Sequence, residues 1–163
     1  MKKHDLKILI VDDDPEIGDI LADLCAINGY QSELASNGAE AMKLMRKNGT
    51  YDLAIVDFLM PVMSGAEFIK RAREEKADFP IIVISACDDV EDAFIAAGAN
   101  FFLKKPFDPH LLEKAIEVIA RGVFSSQNDL LSVNPSKDDH RNSVEYKRNF
   151  SETWKTDENK QQN

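Results

Sequence analysis

Leu53-Ala54-Ile55-Val56-Asp57 is followed at once by Phe58-Leu59-Met60-Pro61. Four apolar residues end in one carboxylate, and Pro61 soon closes off the run. An apolar run this short reads as a strand buried on both faces, as in a parallel sheet. Open α/β sheets bind ligands beyond the carboxyl ends of their strands. Asp57 therefore marks an edge of the fold where chemistry is expected, and the rest of the chain is read for what gathers there.

The same pattern recurs on both sides. Lys7 to Val11 is an apolar run ending in Asp12-Asp13-Asp14-Pro15. Asp14 suits a helix N-cap and Pro15 a first turn. Ile17, Ile20, Leu21, Leu24 and Cys25 follow at helical spacing, and Gly29 stops them. Tyr30 to Ala35 is a weaker strand. Asn37-Gly38 opens a helix with the stripe Ala41, Leu44 and Met45, ended by Asn48-Gly49. Beyond Pro61, Ser64-Gly65-Ala66-Glu67 starts a helix with Phe68, Ile69 and Ala72 inward. Pro80 introduces Ile81-Ile82-Val83-Ile84, a strand ending in Ser85-Ala86. Asp88-Asp89 caps a short helix carrying Ala93, Phe94 and Ala97, stopped by Gly98. Phe101-Phe102-Leu103 is a last strand, ending in Lys104-Lys105-Pro106. Asp108-Pro109 opens a final helix with Leu111, Leu112, Ala115, Ile116 and Ile119 inward and Gly122 as its stop.

Five strands alternating with five helices argue for an α/β domain, a doubly wound parallel sheet with helices on both faces. Right-handed crossovers leave few topologies, and the flavodoxin-like (βα)5 order 2-1-3-4-5 is expected. We place this domain at residues 1–122. From residue 123 to 163 Ser, Asn, Asp and Lys dominate and long apolar stripes disappear, which reads as a disordered tail. The competing reading is a docking helix, because Tyr146, Phe150 and Trp154 recur every four residues.

Composition bounds the function. The 163 residues carry a net charge of −9, which argues against direct nucleic-acid binding. Cys25 and Cys87 lie far apart without metal or redox spacing, so a reducing compartment is expected. The apolar run after Met1-Lys2-Lys3-His4-Asp5 is too short for a secretory core or a membrane span, and a cytoplasmic location without membrane contact is expected. His4, His110 and His140 show no ligand spacing.

Parallel strands bring Asp12, Asp13, Asp57, Ser85 and Lys105 to one edge of the sheet. At an effective dielectric of 20, two carboxylates about 4 Å apart repel by roughly 4 kcal/mol, so a cation or proton must neutralise the group. An all-oxygen set suits Mg²⁺ or Mn²⁺, which keeps waters and takes few protein carboxylates.

On these residues, together with the motif Asp57-Phe58-Leu59-Met60-Pro61, Gly65, Ser85-Ala86 and Lys105-Pro106, the chain resembles the receiver domains of two-component response regulators. The resemblance spans about residues 5–121. It implies that Asp57 is the phosphoacceptor, taking a phosphoryl group from a histidine kinase, a phosphotransfer protein or a small donor. It implies Mg²⁺ held by Asp12, Asp13, Asp57 and the backbone carbonyl of Leu59. Lys105 and Ser85 would bind the phosphoryl group, Phe102 would be the switch aromatic, and Lys105-Pro106 would be cis. Leu59 and Cys87 stand where the family tunes dephosphorylation. Lys104 beside Lys105 leaves a choice of register, which the following Pro resolves toward Lys105. Output would run to a protein target through the face of the fourth helix, fifth strand and fifth helix. Two rivals are a receiver fold binding partners without phosphorylation and a Mg²⁺-dependent phosphatase with an Asp nucleophile. The latter resembles a D-x-D pattern on the first strand with a cap domain, whereas here the expected nucleophile stands on the third strand and no room for a cap is expected.

Overall fold

Side-chain oxygens start the helices where the sequence places polar residues before apolar stripes. A computed structural model describes residues 6–87, 91–121, 129–133 and 144–148. In it Asp14 accepts hydrogen bonds from the Glu16 and Ile17 N–H groups and caps α1 (Pro15–Ile27). Asn37 accepts from Glu40 N–H at the start of α2 (Gly38–Asn48), and Ser64 from Glu67 N–H before α3 (Gly65–Glu74). Asp108 does the same through His110 N–H for α5 (Pro109–Ala120), while α4 spans Glu91–Ala97. Each such cap satisfies a donor that the helix itself leaves unpaired.

The strands are β1 (Lys7–Val11), β2 (Gln31–Ala35), β3 (Leu53–Asp57), β4 (Ile81–Ser85) and β5 (Phe101–Lys104). They pair in parallel in the order β2-β1-β3-β4-β5, the flavodoxin-like arrangement expected. Successive side chains point to opposite faces, so the sheet builds two cores. Ile8, Ile10, Leu53, Ile55, Ile82 and Ile84 pack beneath α1 and α5. Leu9, Val11, Ala54, Val56, Ile81 and Val83 pack beneath α2, α3 and α4. Burial on both sides explains why these strands read as unbroken apolar runs.

Helix faces follow the sequence reading with local differences. Phe68, Ile69 and Ala72 of α3, and Leu111, Leu112, Ala115, Ile116 and Ile119 of α5, are all buried. In α2 Met42 is buried with Ala41, whereas Leu44 and Met45 are only half-buried, so the stripe is rotated by one position. Ile20 of α1 was expected inward but is 59% exposed, and Ala93 of α4 is exposed. A helix with apolar residues more than 100° wide has more stripe than a single sheet contact can cover.

Beyond α5 the sheet continues. β6 (Asp129–Val133) pairs with β5 in parallel, and β7 (Val144–Arg148) pairs with β6 antiparallel. Both segments fall within residues 123–163, which the sequence reads as a tail, and the structure describes them as strands. Val133, Val144 and Tyr146 are types that favour strands, and β5 would otherwise present an open edge of unpaired backbone groups. Of the aromatics behind the docking-helix alternative, Tyr146 belongs to β7, and Phe150 and Trp154 lie outside the described residues. Asp88, Asp89, Gly122, His4 and His140 lie outside them too.

Arg73 ties the opposite end of the sheet together. Its guanidinium donates to the carbonyls of Ala77 and Phe79 at 2.7 and 2.8 Å. It also donates to Gly98 O and to Asn100 Oδ1, and Asn100 Oδ1 in turn accepts from Ile81 N–H at 2.9 Å. One side chain thereby anchors the entries to β4 and β5, the strand that ends in Ser85 and the strand that leads into Lys105.

Candidate functional site

Register alone brings the first two carboxylates together. Val11 pairs with Val56 across β1 and β3, so Asp12 and Asp57 are the next residues along adjacent parallel strands. Both are buried, at 5% and 8% exposure, while Asp13 is exposed. Oxygens of Asp12, Asp13 and Asp57 lie within 4.8 Å of one another. The Asp14 N–H donates to Asp12 Oδ1 at 2.9 Å, which fixes one oxygen of that carboxylate and leaves the other toward the cluster.

Lys105 supplies the cation within the protein. Its Nζ lies 3.2 Å from Asp12 Oδ2 and 3.4 Å from Asp57 Oδ1, whereas Lys104 is exposed. That geometry decides between the two adjacent lysines. One ammonium cannot balance three carboxylates, and Asp57 bears the consequence. Burial raises its pKa from the ordinary carboxylate value; Lys105 opposes this, and the charges of Asp12 and Asp13 add to the rise.

The donor set fits a hard divalent cation. It is all oxygen, carries net negative charge, keeps one exposed member through which a hydrated ion can enter, and contains no thiolate or imidazole. A metal here would relieve the repulsion that raises the Asp57 pKa. It would also leave positions open for an anionic substrate.

Ser85 ends β4, fully buried, and Cys87 N–H donates to its Oγ at 3.2 Å. Lys105 N–H donates to the Ser85 carbonyl at 2.8 Å, tying the ends of β4 and β5 together, and the Lys105-Pro106 peptide is cis, as the resemblance implied. Of the two flanking residues, Leu59 is 56% exposed and Cys87 half-buried. Phe102 stands one strand from Val83 and is half-buried, with its ring stacked on Phe94 of α4 at 5.0 Å between centroids and 8° between planes.

Two features were not read from the sequence. Gly65 sits so close to Asp57 that a Cβ there would meet the Asp57 carbonyl oxygen at 2.2 Å and Phe58 Cα at 2.9 Å. Gly65 N–H donates to the Phe58 carbonyl at 3.0 Å, so α3 begins directly against the end of β3. The stacking partner of Phe102 was also missed, because Phe94 reads only as an inward helix residue.

Comparison with known proteins agrees with this architecture. The response regulator receiver domain family matches residues 8–117. Response regulator MprA of Mycobacterium sp. (strain KMS) is 38% identical over 104 residues, covering 63% of this chain and 45% of that protein. Response regulator SaeR of Staphylococcus epidermidis (strain ATCC 12228) is 34% identical over 140 residues, covering 85% and 55%. The chain thus spans about half the length of the curated relatives it matches. Among solved structures, chemotaxis protein CheY4 of Vibrio cholerae superposes with a TM-score of 0.65 at 33% identity, covering 70% of this chain and 98% of that one. Response regulator TrrA of Thermotoga maritima, solved in complex with Mg(2+)-BeF, gives a TM-score of 0.64 at 32% identity, covering 70% and 98%. With the matched residues running from β1 into α5 and enclosing the whole carboxylate edge, the chain belongs to the response regulator receiver domain family of two-component systems.

Proposed function

We propose that this domain accepts a phosphoryl group on Asp57 from a histidine kinase or phosphotransfer protein, and signals by protein contact. The observation that carries the reading is the contact of Lys105 Nζ with both Asp12 and Asp57 inside a three-carboxylate cluster. A structural ion pair needs one carboxylate; this group of three carboxylates and one ammonium is net negative and short of positive charge.

An Asp57 carboxylate oxygen attacks phosphorus in line with the donor's P–N bond. The O–P bond forms as the P–N bond breaks, and the leaving imidazole nitrogen keeps the electron pair and takes up a proton from solvent. Asp12, Asp13, Asp57 and the Leu59 carbonyl would hold Mg²⁺, or Mn²⁺ in its place, and the ion would supply charge neutralisation at the transferring phosphoryl oxygens. Lys105 moves from carboxylate to phosphoryl oxygen, and the Ser85 hydroxyl donates a hydrogen bond to another. Phe102 reports the change to the face built by α4, β5 and α5. To shift such a switch from 1:99 to 99:1, phosphorylation must favour the active form by about 5.5 kcal/mol, within reach of several charge-assisted hydrogen bonds.

The donor would approach over an apolar groove lined by Ile17, Ile20, Leu24, Lys105, Pro106 and Phe107, which reaches the Asp57 edge through Lys105. No described helix is long and apolar enough to cross a membrane, and a partner kinase domain that phosphorylates its own histidine would meet this chain in the cytoplasm. Acidic net charge at −9 supports output to protein rather than to nucleic acid.

Transfer from a phosphohistidine-labelled donor domain tests the reading. Label should pass to this chain and stop near one equivalent, and Asp57→Asn should abolish it. Release of many equivalents of inorganic phosphate would instead indicate a phosphatase, and transfer surviving Asp57→Asn would overturn the acceptor assignment.

A further inference from the structure

β5 is a four-residue strand under two masters. At its C-terminal end Lys105 is held by Asp12 and Asp57, and the Lys105 N–H by the Ser85 carbonyl. On its far side it carries β6, and through β6 the antiparallel β7. The ladders differ in extent. β4 and β5 share four registered pairs and β6 and β7 share five, but among the described residues β5 and β6 are registered at two, Phe101–Leu131 and Phe102–Ser132. The β6–β7 hairpin is thus joined internally and attached weakly. It also covers the backbone edge of β5, in the face through which the proposed output runs.

We propose that the β6–β7 hairpin is a detachable cover of the β5 edge, released when Asp57 is phosphorylated. The inference rests on the phosphoacceptor reading above. A phosphoryl group at Asp57 draws Lys105 and the Ser85 end of β4 toward the site, and β5 follows through the ladder it shares with β4. The two-pair junction with β6 is the weakest ladder in the sheet and absorbs the displacement. An isolated hairpin is at best marginally stable in water, so release also loosens β6 and β7. The uncovered edge then presents backbone N–H and C=O groups of β5 that the cover had paired.

β5 is held on its β4 side at both ends, by Asn100 N–H to the Ile81 carbonyl at 2.9 Å and by Lys105 N–H to the Ser85 carbonyl at 2.8 Å, so the amides of β5 and β6 together report on their junction. Amide hydrogen exchange is measured on the full chain with Mg²⁺, with and without acetyl phosphate, and the adduct is followed by intact mass. We expect the β5 amides, Phe101 and Leu103 among them, and those of β6 to exchange at least about fivefold faster once the adduct forms, the low end of ordinary coupling between sites. Asp57→Asn abolishes that change. The paired substitutions Leu131→Pro and Ser132→Pro remove β6 donors and should give the fast exchange without acetyl phosphate while still forming the adduct. Leu131→Gly, which keeps its N–H, should lie between. An adduct with unchanged exchange at Phe101, Leu103 and β6 overturns the cover but leaves the acceptor reading standing. Failure to form any adduct overturns both.

Discussion

Replacing Asp57 with a neutral isostere should make the fold more stable, because its carboxylate sits where burial and like charge work against it. Lys105 Nζ at 3.4 Å from Asp57 Oδ1 attracts it by about 5 kcal/mol at an effective dielectric of 20. Asp12, with oxygens within 4.8 Å, repels it by at least about 3.5 kcal/mol on the same scale. Asp13 adds a smaller repulsion that solvent screens, since it is exposed. The charge terms therefore nearly cancel, and desolvation of the buried carboxylate decides the sign, in keeping with the raised pKa of Asp57 and its leading cause. Asp57→Asn removes that charge at constant shape, and we expect a gain of about 1–2 kcal/mol in metal-free buffer, the usual scale for relieving an imperfectly compensated buried polar group. In a thermal melt followed by circular dichroism this is a rise of roughly 3–6 °C. Mg²⁺ should narrow the difference: binding at a hundred times its dissociation constant adds about 2.7 kcal/mol to the wild type, and less to the variant. A variant that melts at or below the wild-type temperature without metal would refute the reasoning.

Further outcomes follow from particular contacts and from burial. Gly65→Ala forces a methyl group against the Asp57 carbonyl; overpacking there should cost about 1–3 kcal/mol in chemical denaturation and slow phosphoryl uptake from a small donor. Phe94→Ala should cost about 3–5 kcal/mol, since the ring is 1% exposed. A double-mutant cycle of Phe94→Ala with Phe102→Ala should return about 0.5–1.5 kcal/mol for the stacked pair, and a coupling near zero would contradict the stacking. Burial raises the Cys25 thiol to about 11 from an ordinary 9.0. The folded state thus favours the neutral thiol, and this contribution is fully present below pH 9 and lost as pH climbs toward 11. Wild type should lose about 2–3 kcal/mol across that window, with Cys25→Ala showing a shallower slope. Alkylation at pH 8 should modify half-buried Cys87 before Cys25.

How much of this was legible depended on whether the determinant was local. Each βα unit announces itself through an apolar run, a polar cap and a glycine or proline stop. The placement of Asp12 beside Asp57 follows from strand adjacency, once a parallel sheet is inferred. Lys105 was separable from Lys104 only through the following Pro and the resemblance; distances of 3.2 and 3.4 Å to the two carboxylates now give the physical reason. What was hidden is tertiary. Gly65 reads as a helix-start residue, and nothing local says that another chain segment passes where its side chain would be. Ile20 fits the α1 stripe, yet the sheet covers only part of that stripe, leaving Ile20 to line the groove beside Lys105. The strands β6 and β7 lie in polar sequence with short apolar alternation, and they become strands because β5 offers an edge. Arg73 carries no motif, and its role emerges only from the carbonyls that converge on it.

The central claim is tested most directly by intact mass after incubation with acetyl phosphate, with and without Mg²⁺, followed by peptide mapping. The account predicts one added phosphoryl group, dependent on Mg²⁺, located on the peptide containing Asp57 and absent from Asp57→Asn. An adduct on another residue, or none under conditions where the chain binds Mg²⁺, would contradict it.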